Sequence, residues 1–215
     1  MQQTLRELEK INRYLGGNEV IMSGLNAIEP ALKALPANEP LKIADLGCGG
    51  GDSLQLIARW ARKNGLNVRL LGFDANPHII NFARENSRNY PEIEYHLVDV
   101  KSSEFKNYHF DVVLMTLFIH HFSDEELVKL FNQLRKQTFS AIIINDLHRH
   151  PFAYFSIKVL TKLLSRSKMV KNDAPLSVLR AFNKNELEKI IREAGYKEYE
   201  LNWQWAFRFL GILYP

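Results

Sequence analysis

The stretch Asp45-Leu46-Gly47-Cys48-Gly49-Gly50-Gly51 decides the fold of this chain of 215 residues. It overlaps the end of a mostly apolar run, residues 41–46, that predicts a short buried strand. It precedes residues 54–61, whose apolar positions have helical spacing. Glycines let the backbone turn tightly and approach a ligand closely. The N-terminus of the following helix offers unpaired N–H groups and the positive end of its dipole to an anionic group. The stretch therefore predicts a ligand-binding turn between a strand and a helix.

Strands and helices alternate on the C-terminal side of this turn. Apolar runs that predict further strands lie at 68–73, 93–98, 110–115 and 141–145. The first two of these runs end in an acid, Asp74 and Asp99. Ser123-Asp124-Glu125-Glu126 has the form of a capping box, which predicts a helix start between the last two strands. This alternation is typical of a parallel, doubly wound sheet that helices cover on both faces.

The flanks add helices and two more strands to this core. Residues 1–40 predict a helical cap with a break at Gly16-Gly17, 148–182 a helical insertion after the fifth strand, and 183–215 a closing helix and two aromatic-rich strands. We therefore expect a single α/β domain, residues 1–215, with 41–147 as its ligand-binding core. Its sheet is predicted to be Rossmann-like, mostly parallel and seven-stranded.

Composition and charge exclude few classes of protein, but they indicate which partners and which cellular compartment to expect. The net charge is +4, and basic and acidic residues are mixed along most of the chain, so no nucleic-acid partner is expected. The single cysteine, Cys48, excludes an internal disulfide and suits a reducing compartment. The N-terminal residues have no apolar signal core, and no window has the uninterrupted apolar length of a membrane span. These observations predict a cytoplasmic protein.

The glycine-rich turn does not match the pattern of a dinucleotide site. That pattern, Gly-x-Gly-x-x-Gly, needs a glycine where this chain has Asp52, and a carboxylate there would repel a pyrophosphate. Asp45, two residues before the first glycine, can instead pair with an ammonium group. Asp74 lies 23 positions after Gly51, where a carboxylate can accept hydrogen bonds from both hydroxyls of a ribose.

The Asp-x-Gly-x-Gly-x-Gly pattern of residues 45–51 resembles the first motif of class I S-adenosylmethionine-dependent methyltransferases, and the order of the elements over 41–147 agrees with it. The resemblance implies a transferase with S-adenosyl-L-methionine as cofactor and S-adenosyl-L-homocysteine as product. It also implies that Asp99 contacts the adenine amino group. The full set of implied cofactor-binding residues is Asp45, Gly47, Cys48, Gly49, Gly51, Asp74, Ala75, Asp99, Val100 and Thr116.

Two further stretches narrow the resemblance. Residues 118–122 and 175–182 are similar to segments of the ubiquinone/menaquinone C-methyltransferase group and its small-molecule O-methyltransferase relatives. The Asn/Asp-Pro-Pro-Tyr motif of adenine and amide methyltransferases is replaced here by Met115-Thr116-Leu117-Phe118. The resemblance therefore implies methylation of an oxygen or carbon of a small, hydrophobic or aromatic acceptor. An RNA or protein methyltransferase and a non-catalytic cofactor-binding module are the alternatives.

Several titratable residues follow the fourth and fifth strands, at the edge where open α/β sheets bind ligands. Histidine can accept a proton near neutral pH, and an adjacent acid can orient it. The candidate bases are His120, His121, Asp146, His148 and His150, of which we predict catalytic roles for His121, Asp146 and His148. No metal site is expected, because the chain has neither nearby cysteines nor a His-Glu-x-x-His helix.

The helical insertion has two contrasting faces. Its apolar face is predicted to hold Phe152, Phe155, Val159, Leu160, Leu163 and Leu164, and its basic face Lys158, Lys162 and Arg166. The simplest interpretation is a lid helix whose basic face is solvated. The alternative is a lid that contacts an anionic membrane surface. Both a monomer and a homodimer are compatible with the sequence.

Overall fold

The computed structural model describes residues 7, 10–36, 39–165 and 167–215. The strands are β1 (Leu41–Leu46), β2 (Val68–Asp74), β3 (Ile93–Leu97), β4 (Phe110–Thr116), β5 (Thr138–Leu147), β6 (Glu198–Gln204) and β7 (Arg208–Tyr214). The main α-helices of the described residues are α1 (Gly17–Lys33), α2 (Asp52–Asn64), α3 (Pro77–Asn86), α4 (Asp124–Gln137), α5 (Pro151–Leu164), α6 (Lys168–Arg180) and α7 (Lys184–Glu193).

All seven strands belong to one sheet with the order β3-β2-β1-β4-β5-β7-β6. Neighbours from β3 to β5 are parallel, and β7 is antiparallel to both β5 and β6. Two apolar layers cover the sheet, because successive strand residues point to opposite faces. Helices α1, α2 and α3 pack on the face that carries Ile43, and α4 and α7 pack on the face that carries Ala44. The predicted fold class is confirmed.

The strand order reverses beside β1, and this reversal positions the site. β1 pairs with β2 on one side and with β4 on the other, and Asp45 lies between Gly72 and Leu114 in the register. The connections that leave β1 and β4 turn to opposite faces of the sheet, so a crevice opens beyond the carboxyl ends of these strands. The glycine-rich turn after β1 lines that crevice.

Two predicted strands have different ends in the structure. β5 begins at Thr138 and continues to Leu147, because Thr138 pairs with Phe110 and the antiparallel partner β7 extends its ladder. β3 stops at Leu97, so the prediction that Asp99 ends this strand is wrong by two residues. Asp99 stands in the loop beyond it.

The cap and the insertion are described in part. Residues 10–14 are helical, and the chain breaks at Gly16, which has a φ of 75°. Apart from Glu7, the rest of the first predicted helix lies outside the described residues, as do the side chain of Leu164 and Arg166. The insertion forms α5 and α6, which pack against each other. None of the helices in the described part of the chain is long and apolar enough to cross a membrane.

Candidate active site

Glycines at the end of β1 shape the turn. Gly47, Gly49 and Gly51 have φ values of 71°, 51° and 83°, a region that favours glycine. A Cβ on Gly47 would lie 2.2 Å from the ring of Phe118, so close packing also requires glycine there. A Cβ on Gly49 would meet no heavy atom within 4 Å. The backbone at Gly49 therefore faces open space that a ligand can occupy.

The turn is supported from behind by α3 and β3, which the sequence did not indicate. Asn86 Nδ2 donates to the carbonyl of Gly50 at 2.9 Å. The hydroxyl oxygens of Ser87 and Tyr95 are 2.7 Å apart, and a Cβ on Gly51 would lie 2.0 Å from the Tyr95 hydroxyl. These contacts hold the turn in one conformation before any ligand binds.

Asp45 is a buried acid without a counter-charge in the part of the chain that the structure describes. Its exposed fraction is 1%, and its Oδ1 atom has no hydrogen-bond partner among the described residues. Burial, together with the nearby charges of Asp74 and Asp52, raises the pKa of Asp45 to about 8. An unpaired buried carboxyl group of this kind is stabilised by a cationic ligand.

Two further predicted acids stand at the same edge of the sheet. Asp74 ends β2 and accepts a hydrogen bond from the Asn76 N–H at 2.8 Å. Burial raises the pKa of Asp74, although backbone N–H groups, including that of Ala75, oppose the rise. Asp99 is exposed and accepts from the Lys101 N–H at 2.9 Å. The neighbouring side chains of Cys48 and Val100 are buried.

The backbone after β4 is strained. Leu117 has a φ of 51°, which non-glycine residues rarely adopt, and its N–H donates to the carbonyl of Asn145 at 2.9 Å. This conformation directs Phe118 against Gly47. The Oγ1 atom of Thr116 is buried, and it has no partner within the part of the chain that is described. Strain of this kind is concentrated at functional sites.

Asp146 holds the strained turn in place. Its carboxylate accepts from the N–H groups of Phe118 (2.9 Å), Ile119 (2.8 Å) and Leu147 (2.7 Å). Its Oδ1 atom lies 2.7 Å from His120 Nδ1. Burial alone would raise the pKa of Asp146, but His120 and the backbone donors bring it below its ordinary value. The contacts therefore indicate an ionised carboxylate that positions its neighbours.

The histidines occupy different environments. His120 is buried against Asp146, and its ring centroid lies 4.3 Å from that of His121, which is exposed. Partial burial and the proximity of His120 lower the pKa of His121. His148 is half-buried at the end of β5, and its buried Nδ1 atom has no partner among the residues described. Burial, and to a smaller extent His150, lower the pKa of His148.

The structure also bears on two remaining features, the role of His150 and the possibility of a metal site. His150 caps α5 by accepting from the Phe152 N–H at 3.2 Å, so its side chain has a structural contact. Over the ranges that the structure describes, no three His, Cys, Asp or Glu side chains form a group that could hold a metal ion.

Arg208 is a buried residue that sequence reasoning missed. Its guanidinium donates to Asn145 Oδ1 (3.2 Å), Asn12 Oδ1 (2.9 Å) and the carbonyl of Leu15 (3.2 Å). Burial lowers the pKa of Arg208 to about 10. The only signal in the sequence was an arginine between two phenylalanines of an apolar strand. Arg208 ties the N-terminal cap to the carboxyl end of β5, beside the site.

Comparison with known proteins shows that this chain is similar to methyltransferases. A family model described as a methyltransferase domain matches residues 43–140. The chain is 28% identical over 184 residues to the demethylmenaquinone methyltransferase of Chlorobaculum parvum, which covers 81% of this chain and 73% of the relative. These matches support a class I S-adenosylmethionine-dependent methyltransferase. This methyltransferase is also 30% identical over 128 residues to the phosphoethanolamine N-methyltransferase of Plasmodium falciparum, covering 59% of the chain and 46% of that relative.

Solved structures share the fold. The plantazolicin methyltransferase BpumL, in complex with SAH, superposes with a TM-score of 0.65 at 18% identity over 96% of this chain and 89% of its own. The carbon methyltransferase DszA gives a TM-score of 0.69 at 15% identity over 92% of this chain. This methyltransferase spans about half of that protein's chain, 53%.

S-adenosylmethionine is the cofactor of this methyltransferase, and the residues present fit it. The cofactor carries an ammonium group, a sulfonium and two ribose hydroxyls. Asp45 offers a buried carboxyl group without a cationic partner in the described structure, and Gly49 leaves open space beside it. Asp74 offers a carboxylate at the next strand end. Cationic and hydroxyl groups are the chemistry that such acceptors bind.

Proposed function

We propose that this methyltransferase transfers the methyl group to an oxygen or carbon atom of a small, hydrophobic or aromatic acceptor. The observation that carries the proposal is the buried His120–Asp146 pair, 2.7 Å apart at the carboxyl ends of β4 and β5. Phe118, held by Asp146, packs directly on Gly47 of the glycine-rich turn. The pair is therefore mechanically linked to the turn that the cofactor contacts.

On the cofactor side, each residue has a role that its surroundings support. We assign Asp45 to the ammonium group, Asp74 to the ribose hydroxyls and Asp99 to the adenine edge. The backbone and side chains that complete the proposed contact surface are those of Gly47, Cys48, Gly49, Gly51, Ala75, Val100 and Thr116. When bound, the cofactor supplies a methyl group already activated on its sulfonium.

On the acceptor side, the chain must remove a proton from a hydroxyl or an acidic C–H as the methyl group is transferred. Asp146 is ionised and acceptor-only, so the hydrogen bond to His120 places the proton on Nδ1. Nε2 then carries the free lone pair of the ring, as a general base requires. We propose His120 as this base and Asp146 as its positioning residue. His121 and His148 stay as the competing candidates.

Aromatic rings at the end of β5 support a hydrophobic acceptor. The ring centroid of His148 lies 4.7 Å from that of Phe209, and His150 stacks on Phe207 at 5.2 Å. His150 also stacks on Phe152 at 5.6 Å. The name of the Chlorobaculum parvum relative points to demethylmenaquinone as its substrate, which has the aromatic and apolar character that such a wall accommodates.

Calorimetric titration tests the cofactor assignment. We expect micromolar binding of S-adenosylmethionine and S-adenosylhomocysteine, weakening in Asp74→Ala, and no binding of NADH. Transfer of labelled methyl groups to phenols and quinols then tests the acceptor class. Transfer to amines or to RNA, with none to phenols or quinols, would refute the proposed acceptor chemistry.

Three alanine variants separate the candidate bases. We expect His120→Ala to lower kcat by about 10²–10⁴-fold, the range for loss of a general base, without changing the affinity for S-adenosylhomocysteine. His121→Ala and His148→Ala serve as competitors, and His78→Ala, on the exposed side of α3, is the control. Full turnover in His120→Ala, with a loss in one of the other two variants, would assign the role of base to that residue.

A further inference from the structure

Helix α5 exposes a row of large apolar side chains. Phe152, Phe155, Val159 and Leu163 have exposed fractions between 58% and 76%. Their spacing of three and four residues aligns them along one side of the helix. The opposite side, which includes Ala153 and Thr161, is buried in the protein. We call the four exposed residues the apolar stripe.

Positive charge accompanies the apolar stripe. Lys158 and Lys162 are exposed and, at helical spacing, follow one edge of it. Lys158 Nζ also lies 5.5 Å from the centroid of the Tyr154 ring, which holds the lysine stem against the helix. Helix α5 contains no acid. Its surface therefore combines aromatic and aliphatic groups with cations, as in helices that lie in the headgroup region of a bilayer.

The insertion is strongly basic, whereas the rest of the chain is slightly acidic. Residues 148–182 contain one acid, Asp173, and seven basic residues, namely Arg149, Lys158, Lys162, Arg166, Lys168, Lys171 and Arg180. The insertion is thus net +6, whereas the whole chain is +4, so the other 180 residues are net −2. All of the net positive charge is in the segment that carries the apolar stripe.

This charge distribution indicates which kind of partner the apolar stripe can bind. A second copy would bring another insertion of net +6 against the first, and like charges at an interface disfavour association. An anionic lipid surface attracts each lysine near it and accepts apolar side chains below its headgroups. We propose that the apolar stripe of α5, with Lys158 and Lys162, binds an anionic membrane surface.

Helix α5 lies beside the candidate active site, so the proposed membrane contact affects how an acceptor reaches it. The helix begins five residues after Asp146 and its N-cap residue is His150, so its first turn lies next to the aromatic rings at the end of β5. Binding through the apolar stripe brings the rim of the site close to the lipid, from which a hydrophobic acceptor can enter. The surface itself does not depend on which atom is methylated, so its test stands apart from that of the proposed function.

Cosedimentation of the full chain with vesicles tests the proposal. We expect the protein to bind vesicles of phosphatidylcholine with phosphatidylglycerol, to bind phosphatidylcholine alone much more weakly, and to dissociate at high salt. Phe155→Ser/Leu163→Ser and Lys158→Glu/Lys162→Glu should each weaken binding about tenfold or more. All four side chains are exposed, so both variants should keep the wild-type affinity for S-adenosylhomocysteine.

Matched control variants distinguish binding through the apolar stripe from nonspecific adsorption to vesicles. Phe139→Ser removes another exposed aromatic side chain, and Lys129→Glu/Lys136→Glu makes the same charge change on α4. Both controls should bind vesicles as the wild type does. The proposal would be overturned by equal binding of the stripe variants, by equal binding to neutral vesicles, or by no binding at all. Self-association that requires Phe155 and Leu163, without vesicle binding, would assign the surface to a dimer instead.

Discussion

The carboxyl ends of β1 and β5 each bury one carboxyl group, and the two groups are in opposite electrostatic situations. Asp45 and Asp146 are both 1% exposed. Asp146 accepts three backbone N–H groups and contacts His120, and its pKa lies below the ordinary value. Asp45 has an oxygen without a partner in the described structure, and its pKa is raised to about 8.

The difference shows that burial does not by itself decide the charge of a carboxyl group. Burial penalises the ionised form at both positions, and only the donors around Asp146 overcome that penalty. The end of β5 is therefore complete without a ligand, because its negative charge already has partners. The end of β1 is incomplete among the described residues, and we propose that a cationic ligand supplies its partner. In this proposal, one end is a preorganised support and the other is a binding site.

The largest expected effect is that of Asp146→Asn. The amide presents an N–H₂ group to a site built from donors, so the Phe118–Ile119 turn and His120 lose their anchor. We expect the free energy of unfolding to fall by about 3 kcal/mol, within the range for a broken buried network, and turnover to fall with it. Urea unfolding followed by tryptophan fluorescence measures the first, and a methyl-transfer assay the second. Unchanged stability would show that the bonds of Asp146 do not support the turn.

Asp45→Asn should give the reverse pattern. The substitution removes the charge that we assign to the cofactor's ammonium group, so the Kd for S-adenosylhomocysteine should rise about 10–100-fold. The free protein should keep or gain stability, because a buried, unpaired carboxyl group is replaced by a neutral amide. Calorimetry and urea unfolding of the same preparation measure both. A variant that unfolds as easily as Asp146→Asn would remove the contrast between the two sites.

The pH dependence sharpens the same comparison with a smaller effect. Asp45 has a raised folded pKa, so its contribution to stability is full below its ordinary value of 3.8 and is lost as the pH rises towards about 8. Asp146 has a lowered pKa, so its contribution is present above the ordinary value and is lost as the pH falls through the lowered one.

A cationic ligand favours the ionised form of Asp45, so binding between pH 6 and 8 should release a proton. The Kd for S-adenosylhomocysteine should then fall by up to about tenfold per pH unit over that range. Titrations in buffers of different ionisation enthalpy detect the proton, and Asp45→Asn is the control, with no pH slope. An equally steep slope in the variant would attribute the proton to another group.

Much of the cofactor side was predictable because its signals are local. The strand before Asp45, the glycines after it and the acid at the end of the next strand are each within a few residues of the element they modify. Strand ends were less accurate: β5 extends to Leu147 only because β7 pairs with it from more than 60 residues away. The backbone contacts of Asp146 could not be predicted for the same kind of reason, since its donors at Phe118 and Ile119 are 28 and 27 residues distant.

Long-range polar contacts were beyond prediction. Arg208 bonds to Asn12, 196 residues earlier in the chain, and no spacing or composition pairs these two residues. The apolar stripe of α5 is a similar case, because helical periodicity aligns its residues but does not say which side of the helix is covered. The structure leaves Phe152 and Leu163 exposed.

The sequence by itself determined the alternation of strands and helices, the glycine-rich turn and the acids near the strand ends, because backbone conformation and hydrophobic periodicity are set by neighbouring residues. Only the tertiary structure decided which buried carboxyl group has donors around it and which does not. That outcome depends on the surroundings that distant segments create, since the free energy of a buried charge is governed by the groups packed within a few ångströms of it.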